Sequence, residues 1–394
     1  MLIYNARILT MESTGDESVI PNGWVETEKG KIIAVGQGVP ERIPGDSLNA
    51  QGGTLLPGFI DAHTHLGIVE DGLDFEGDDC NESTDPFTPH MRAIDGINPF
   101  DRCFEEARMR GVTSACVCPG SANPCGGEIC VIHTAGRRVD DMLISTCGVK
   151  FALGENPKNV YSGKNEQPKT RMGTAAVIRE GLYKAKRYAH DMDSCYSDTE
   201  DCDPPEYDIK SEALLPLLDR KQKAYFHCHR ADDICTAMRI AKEFSLELVI
   251  VHGTEGYLIA DILAEEEIPV ICGPILCDRC KPEMKGLELK NACELQKSGV
   301  KTAICTDHTV IPIQYLPLSA QAAVKGGLPY DEAIRSLTCV PAEILGISDR
   351  VGTIAAGKDA DIQLYAKGDD PLDLLSEPVL VMVGGEVCRN TERR

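Results

Sequence analysis

Two histidines one residue apart close an apolar run in the stretch Pro57-Gly58-Phe59-Ile60-Asp61-Ala62-His63-Thr64-His65. On an extended chain, positions i and i+2 share a face, so His63 and His65 can aim two imidazoles at one point past the strand end. A divalent transition metal needs that geometry. Further along, Lys150, His227 (with His229 beside it), His252 and Asp307 each terminate an apolar, strand-like run. Taken singly, each reads most plainly as a polar group leaving a strand. Taken together, residues that ligate metals or move protons, each at a strand end, point to one catalytic centre. Cys277-Asp278-Arg279-Cys280 has metal-site spacing but lacks a second pair, so it reads as a weak structural-zinc signal.

The elements that must position these residues follow a repeating order. Residues 1–55 read as short strands broken by Gly and Pro. The acidic segment 68–97 after the histidine pair reads as a lid or substrate loop. Asn98-Pro99 is expected to open a helix that closes at Gly111. Strands then alternate with helices: 112–117, a strand ending near 149–151, a helix over 174–189, an acidic excursion over 196–208, a strand at 224–227, a helix over 232–244, and strands at 246–252, 268–272 and 301–307. Such alternation implies a parallel sheet, and about eight strands suggest a closed (β/α)8 barrel whose active site lies at the strand C-terminal ends. The tail returns to β character at 351–354, 361–365 and 379–387. The expected division is 1–55 and 346–394 as the two parts of a composite β-sandwich, flanking a barrel over 56–345.

The 394 residues suffice for a large core, and 42% hydrophobic with 26% charged residues is an ordinary globular balance. A net charge of −22 repels polyanions, which argues against nucleic acid and anionic membrane as partners and leaves a small-molecule substrate. No apolar run approaches the ~20 residues of a membrane span, and the opening residues show no export pattern. With 18 cysteines, most of them inside apolar runs, the chain reads as a reduced cytoplasmic protein. Neither G-x-G-x-x-G after an early strand nor a Walker loop is present, so nucleotide-cofactor readings lose their support.

The histidine stretch, together with His227, His252, Thr306-Asp307-His308 and the tail Gly352-Thr353-Ile354-Ala355-Ala356-Gly357-Lys358-Asp359-Ala360-Asp361, resembles the amidohydrolase superfamily of metal-dependent hydrolases. The likeness is to the branch containing imidazolonepropionase and the Xaa-Arg and Xaa-Pro dipeptidases. It implies a (β/α)8 TIM barrel with a terminal β-sandwich and one or two divalent ions, zinc first, with iron or manganese as alternatives. By that likeness His63 and His65 hold the more buried metal and His227 and His252 the second, while Asp307 binds metal and shuttles the proton. Lys150, carboxylated, is favoured over Glu155 as the anionic bridge. His227 is preferred over His229 as ligand, with only one of the two expected to point inward. His308 is expected at the substrate or behind the ligands.

Deaminase and imidazolonepropionase relatives carry a glutamate where this chain has Arg230. That favours a linear amide bearing a carboxylate, bound by the Arg230 fork, unless Arg230 merely pairs with Asp232 or Asp233. The expected activity is hydrolysis of a linear C–N bond in a dipeptide-like or N-acyl amino acid substrate. The alternatives are a cyclic-amide hydrolase or deaminase, and a non-catalytic scaffold on the same fold. Relatives of this kind are often dimers or larger, but no stripe in the sequence marks a homo-oligomer interface.

Overall fold

The computed structural model describes residues 1–197 and 204–391. The acidic excursion expected over 196–208 therefore lies partly outside the described residues. Two eight-stranded sheets organise the chain. The terminal sheet takes β1 (Leu2–Leu9), β2 (Val19–Glu28), β3 (Lys31–Gln37), β4 (Ser47–Asn49) and β5 (Thr54–Pro57) from one end of the chain. The other end contributes three strands, described below. The second sheet holds β6 (Phe59–Thr64), β7 (Val112–Val117), β8 (Cys125–His133), β9 (Leu143–Ala152), β10 (Lys223–Cys228), β11 (Leu248–His252), β12 (Val270–Cys272) and β13 (Thr302–Ile304), in chain order across the sheet.

This second sheet is nearly closed into a barrel. Its outer edges meet through the chain just past β13, where Asp307 N donates to the His63 carbonyl (3.2 Å) and His65 N to the His308 carbonyl (2.7 Å). Alternation sorts the strand residues. Tyr225, Val249, Val251, Ile271 and Ala303 share one buried cluster with Ile60, Cys116 and Val131. Val149, Phe151, Phe226 and Ile250 pack instead with the helices Arg171–Ser197 and Ala231–Phe244. Lys150, between Val149 and Phe151, consequently lies on the inner face, fully buried.

Three local expectations need correction. The sheet is not wholly parallel, because β8 runs antiparallel to both β7 and β9. Residues 118–124 between β7 and β8 are too few for a crossover helix, so the chain turns back as a hairpin. The apolar run 55–60 is two strands in two sheets, β5 and β6, split at Gly58. A Cβ there would lie 2.1 Å from Thr113 Oγ1, so only glycine lets β6 approach β7 so closely. Asn98 does not cap a helix: its Oδ1 accepts from Phe100 N in a local turn, and the helix is confined to Cys103–Met109.

Three C-terminal strands, β14 (Ile362–Tyr365), β15 (Leu380–Val383) and β16 (Glu386–Asn390), complete the terminal sheet. Its order is β16-β15-β14-β5-β1-β2-β3, with β4 on β1. Strands from the two ends of the chain thus share one sheet, and β14 pairs antiparallel with β5. A charge cluster ties this sheet to the barrel. His133, at the end of β8, lies 3.2 Å from Asp361 and 3.5 Å from Asp359. Asp359 also meets Lys31 (2.5 Å) and Arg350 (2.7 Å).

Candidate metal centre

β6 delivers His63 and His65, as the i, i+2 rule requires, and Asp307 arrives from just beyond β13 across the barrel seam. One ligating atom from each of these three residues lies within 4.8 Å of the others. The Asp307 carboxylate is 3.3 Å from His63 Nε2 and 3.5 Å from His65 Nε2. In a second group, His227, His229 and His252, one ligating atom from each residue likewise lies within 4.8 Å of the others. The two groups adjoin, with the His63 and His252 rings 5.3 Å apart between centroids.

Expecting only one of His227 and His229 to face inward was wrong. Their ring centroids are 4.8 Å apart and each is 2% exposed. Residues two apart at a strand end share a face, the same rule that pairs His63 with His65.

The surrounding backbone fixes which nitrogens are offered. His65 Nδ1 bonds the Cys118 carbonyl and His252 Nδ1 the Gly273 carbonyl, each at 2.7 Å, while His229 Nδ1 bonds Thr254 Oγ1 at 2.7 Å. A carbonyl can only accept, so the proton sits on Nδ1 of His252 and of His65; at His252, whose ring is neutral, Nε2 keeps its lone pair. Both ring nitrogens of His63, Nδ1 of His227 and Nε2 of His229 are buried with no hydrogen-bond partner. Orphaned polar atoms inside a protein are costly, and a cation is the partner this donor set fits.

Electrostatics agree with that fit. Burial drives His227 and His252 well below the usual histidine pKa and lowers His229 to about 4, so these rings are neutral donors at neutral pH. Burial opposes charge on Asp307, but His252, His63 and His65 outweigh it and hold the carboxyl well below its usual range. His65 runs the other way: burial lowers it, yet Cys80 and Asp307 raise it well above its usual value. Two of these residues also hold strained backbones, with φ of 74° at His252 and 55° at Asp307, a region side-chain-bearing residues rarely enter.

The other expected residues are placed as follows. Lys150 Nζ donates to the Pro119 carbonyl at 3.0 Å on the inner barrel wall. Glu155 opens the helix Glu155–Gly163; its oxygens accept from Asn159 Nδ2 and Glu283 N, both at 3.3 Å. The Arg230 fork, expected at a substrate carboxylate, closes on Asp232 instead, with bonds of 2.8 and 2.9 Å; this is the helix-start pair the sequence left open. His308 accepts from Ile313 N at 3.3 Å through Nδ1, its Nε2 has no partner, and burial lowers it to about 4. Cys277 and Cys280 are free thiols, and neither belongs to a cluster of three metal-ligating side chains among the described residues. Cys195, by contrast, is disulfide-bonded, against the expectation of wholly reduced thiols.

Two acids at the centre escaped the sequence reading. Asp61 is fully buried and binds Thr306 through that residue's N (3.1 Å) and hydroxyl, pinning the chain next to Asp307. Burial raises its carboxyl to about 7. Glu283, from the loop after β12, lies 3.6 Å from His227 Nε2 and 3.7 Å from His229 Nε2. Asp61 lies inside the histidine stretch and offered a signal; Glu283 lies on the short 3-10 turn Pro282–Met284 within a long loop and offered none.

The amidohydrolase family model matches residues 209–388. A solved amidohydrolase from Thermotoga maritima MSB8 is 40% identical, with 98% of each chain covered and a TM-score of 0.92. The chain belongs to the amidohydrolase family. The family is one of hydrolases of C–N bonds whose members typically bind divalent metals. The amidohydrolase tasK of Hapsidospora irregularis is 31% identical over 428 residues, covering 98% of this chain but 42% of that protein, so this chain spans less than half its length. The imidazolonepropionase of Phocaeicola vulgatus is 24% identical over 418 residues, covering 94% of this chain and 93% of that one. Among the described residues no helix is long and apolar enough to cross a membrane.

Proposed function

We propose that this amidohydrolase cleaves a linear C–N amide bond in a dipeptide-like or N-acyl amino acid substrate. One observation carries the reading: two adjoining three-residue donor groups, one of which contains the acid Asp307, beside a position 230 that holds no acid. Without an acid there, a ring nitrogen has no proton donor at that point, whereas a linear amide needs a proton delivered only to its leaving nitrogen.

His63, His65 and Asp307 would hold one divalent ion, and His227, His229 and His252 the other, zinc before iron or manganese. Bound there, such ions supply Lewis acidity and a nucleophilic water at neutral pH. Asp307 takes up a proton on its carboxylate and hands it to the leaving nitrogen. Lys150, fully buried on the inner barrel wall, would on reaction with carbon dioxide give a carbamate and so supply the anion shared by the two ions, with Glu155 as the alternative. His308 is assigned to the substrate, and residues 1–55 with 346–394 to a unit flanking the barrel over 56–345.

A second reading, hydrolysis or deamination of a cyclic substrate, is favoured by the imidazolonepropionase match along most of the chain. Elemental analysis with a screen of dipeptides, N-acyl amino acids and heterocycles decides between them. Cleavage of linear amides is expected. Turnover of heterocycles alone would replace the first reading with the second, and a metal-free active protein would end both.

A further inference from the structure

Glu283 is 1% exposed, yet its Oε1 has no hydrogen-bond partner. That atom faces His227 Nε2 at 3.6 Å and His229 Nε2 at 3.7 Å, with Lys281 Nζ 3.7 Å away on the loop side. His229 Nε2 is likewise buried and unpartnered. With His229 Nδ1 already bonded to Thr254, its Nε2 and a carboxylate oxygen confront each other with nothing between. Such an arrangement is stable only with a shared cation or proton.

The rest of the carboxyl is anchored deliberately. Glu283 Oε2 accepts from Glu155 N at 2.9 Å, and Glu155 Oε2 accepts in return from Glu283 N at 3.3 Å. Gly154 makes room: its φ is +84°, and a Cβ there would lie 2.7 Å from Glu283 Oε2. Two loops from different barrel strands therefore clamp one oxygen so that the other is presented to the histidines. Donors about 2.1 Å from a tetrahedral metal stand about 3.4 Å apart, close to the separations seen here.

We infer that Glu283 is a carboxylate ligand of the ion held by His227, His229 and His252, adding an anionic protein donor to three neutral imidazoles. The inference rests on the metal-dependent reading above. It makes the loop after β12 part of the metal site, joined through Glu155 to the start of the helix Glu155–Gly163.

The test compares zinc content, chelator-titration midpoint and cobalt(II) absorption in the full-length chain and in Glu283→Gln and Gly154→Ala. The expected result is a second-ion midpoint roughly 10- to 100-fold weaker in Glu283→Gln, with an altered cobalt spectrum, while the ion at His63, His65 and Asp307 is retained. That retained ion reports a folded barrel. Gly154→Ala should weaken the same ion although it removes no donor. An unchanged midpoint and spectrum in Glu283→Gln would overturn the inference while leaving the hydrolase reading intact. A wild-type chain that takes up no metal would overturn that reading and the inference together.

Discussion

Asp307 holds a strained backbone while its carboxylate reaches two imidazoles across the barrel seam. If it moves the proton, Asp307→Asn should lower kcat by about 10²- to 10⁴-fold while metal content stays largely intact. Near-normal turnover would remove that role. His229 offers a second test at this scale. Because it joins the same donor group as His227, His229→Asn should weaken metal retention about as much as His227→Asn, read by chelator titration. Retention unchanged in His229→Asn alone would restore the expectation that one of the two histidines suffices. His63, His65, His227, His252 and Asp307 were legible because each lies at the end of an apolar run; the inward turn of His229 was not foreseen. Glu283 was not legible: it lies on a single 3-10 turn, Pro282–Met284, ten residues past Cys272, the end of β12, and no periodicity fixes where such a side chain points.

Elements show the same division. The strands before His252 and Asp307 were readable from β-branched apolar runs. β8 was missed because it opens Cys125-Gly126-Gly127, and glycines argue against a strand unless the backbone is closely approached. Here it is, since a Cβ on Gly127 would fall 2.3 Å from the Met91 carbonyl oxygen of the loop lying over it. The join between the two sheets makes a sharper prediction. Gly58→Ala would drive a methyl into Thr113 at the step from β5 to β6, and should cost about 1–3 kcal/mol, seen as a lowered Tm. An unchanged Tm would mean that β6 and β7 can separate without penalty.

For the whole molecule, the terminal sheet and the barrel are coupled by charge as well as by chain connectivity. Burial opposes charge on His133, but Asp361 and Asp359 raise it to about 9. A histidine raised in the folded state adds stability that is complete below its unfolded pKa near 6.5 and disappears as pH climbs through about 9. The amount is on the order of 3 kcal/mol. Thermal unfolding of the wild type should therefore show Tm falling between pH 6.5 and 9.5, and His133→Gln should flatten that slope. A slope equal in both proteins would rule out this latch as its source. The sequence indicated a composite β-sandwich from both ends of the chain, and the two ends do share one sheet, though a sandwich is not what its strand order describes; the sequence could not reveal the latch, because His133 lies on the strand that was not foreseen.

The reversed strand carries one more implication, for how this enzyme can diversify. Its hairpin, residues 118–124, lends the Cys118 and Pro119 carbonyls to His65 and Lys150, so a stretch that would elsewhere be free to vary is committed to holding the reactive groups. New substrate preferences must then arise mainly in the segment 68–79, which carries none of the ligands assigned above. A library randomised across the hairpin should yield mostly inert clones, and one randomised across 68–79 should yield active clones with altered selectivity.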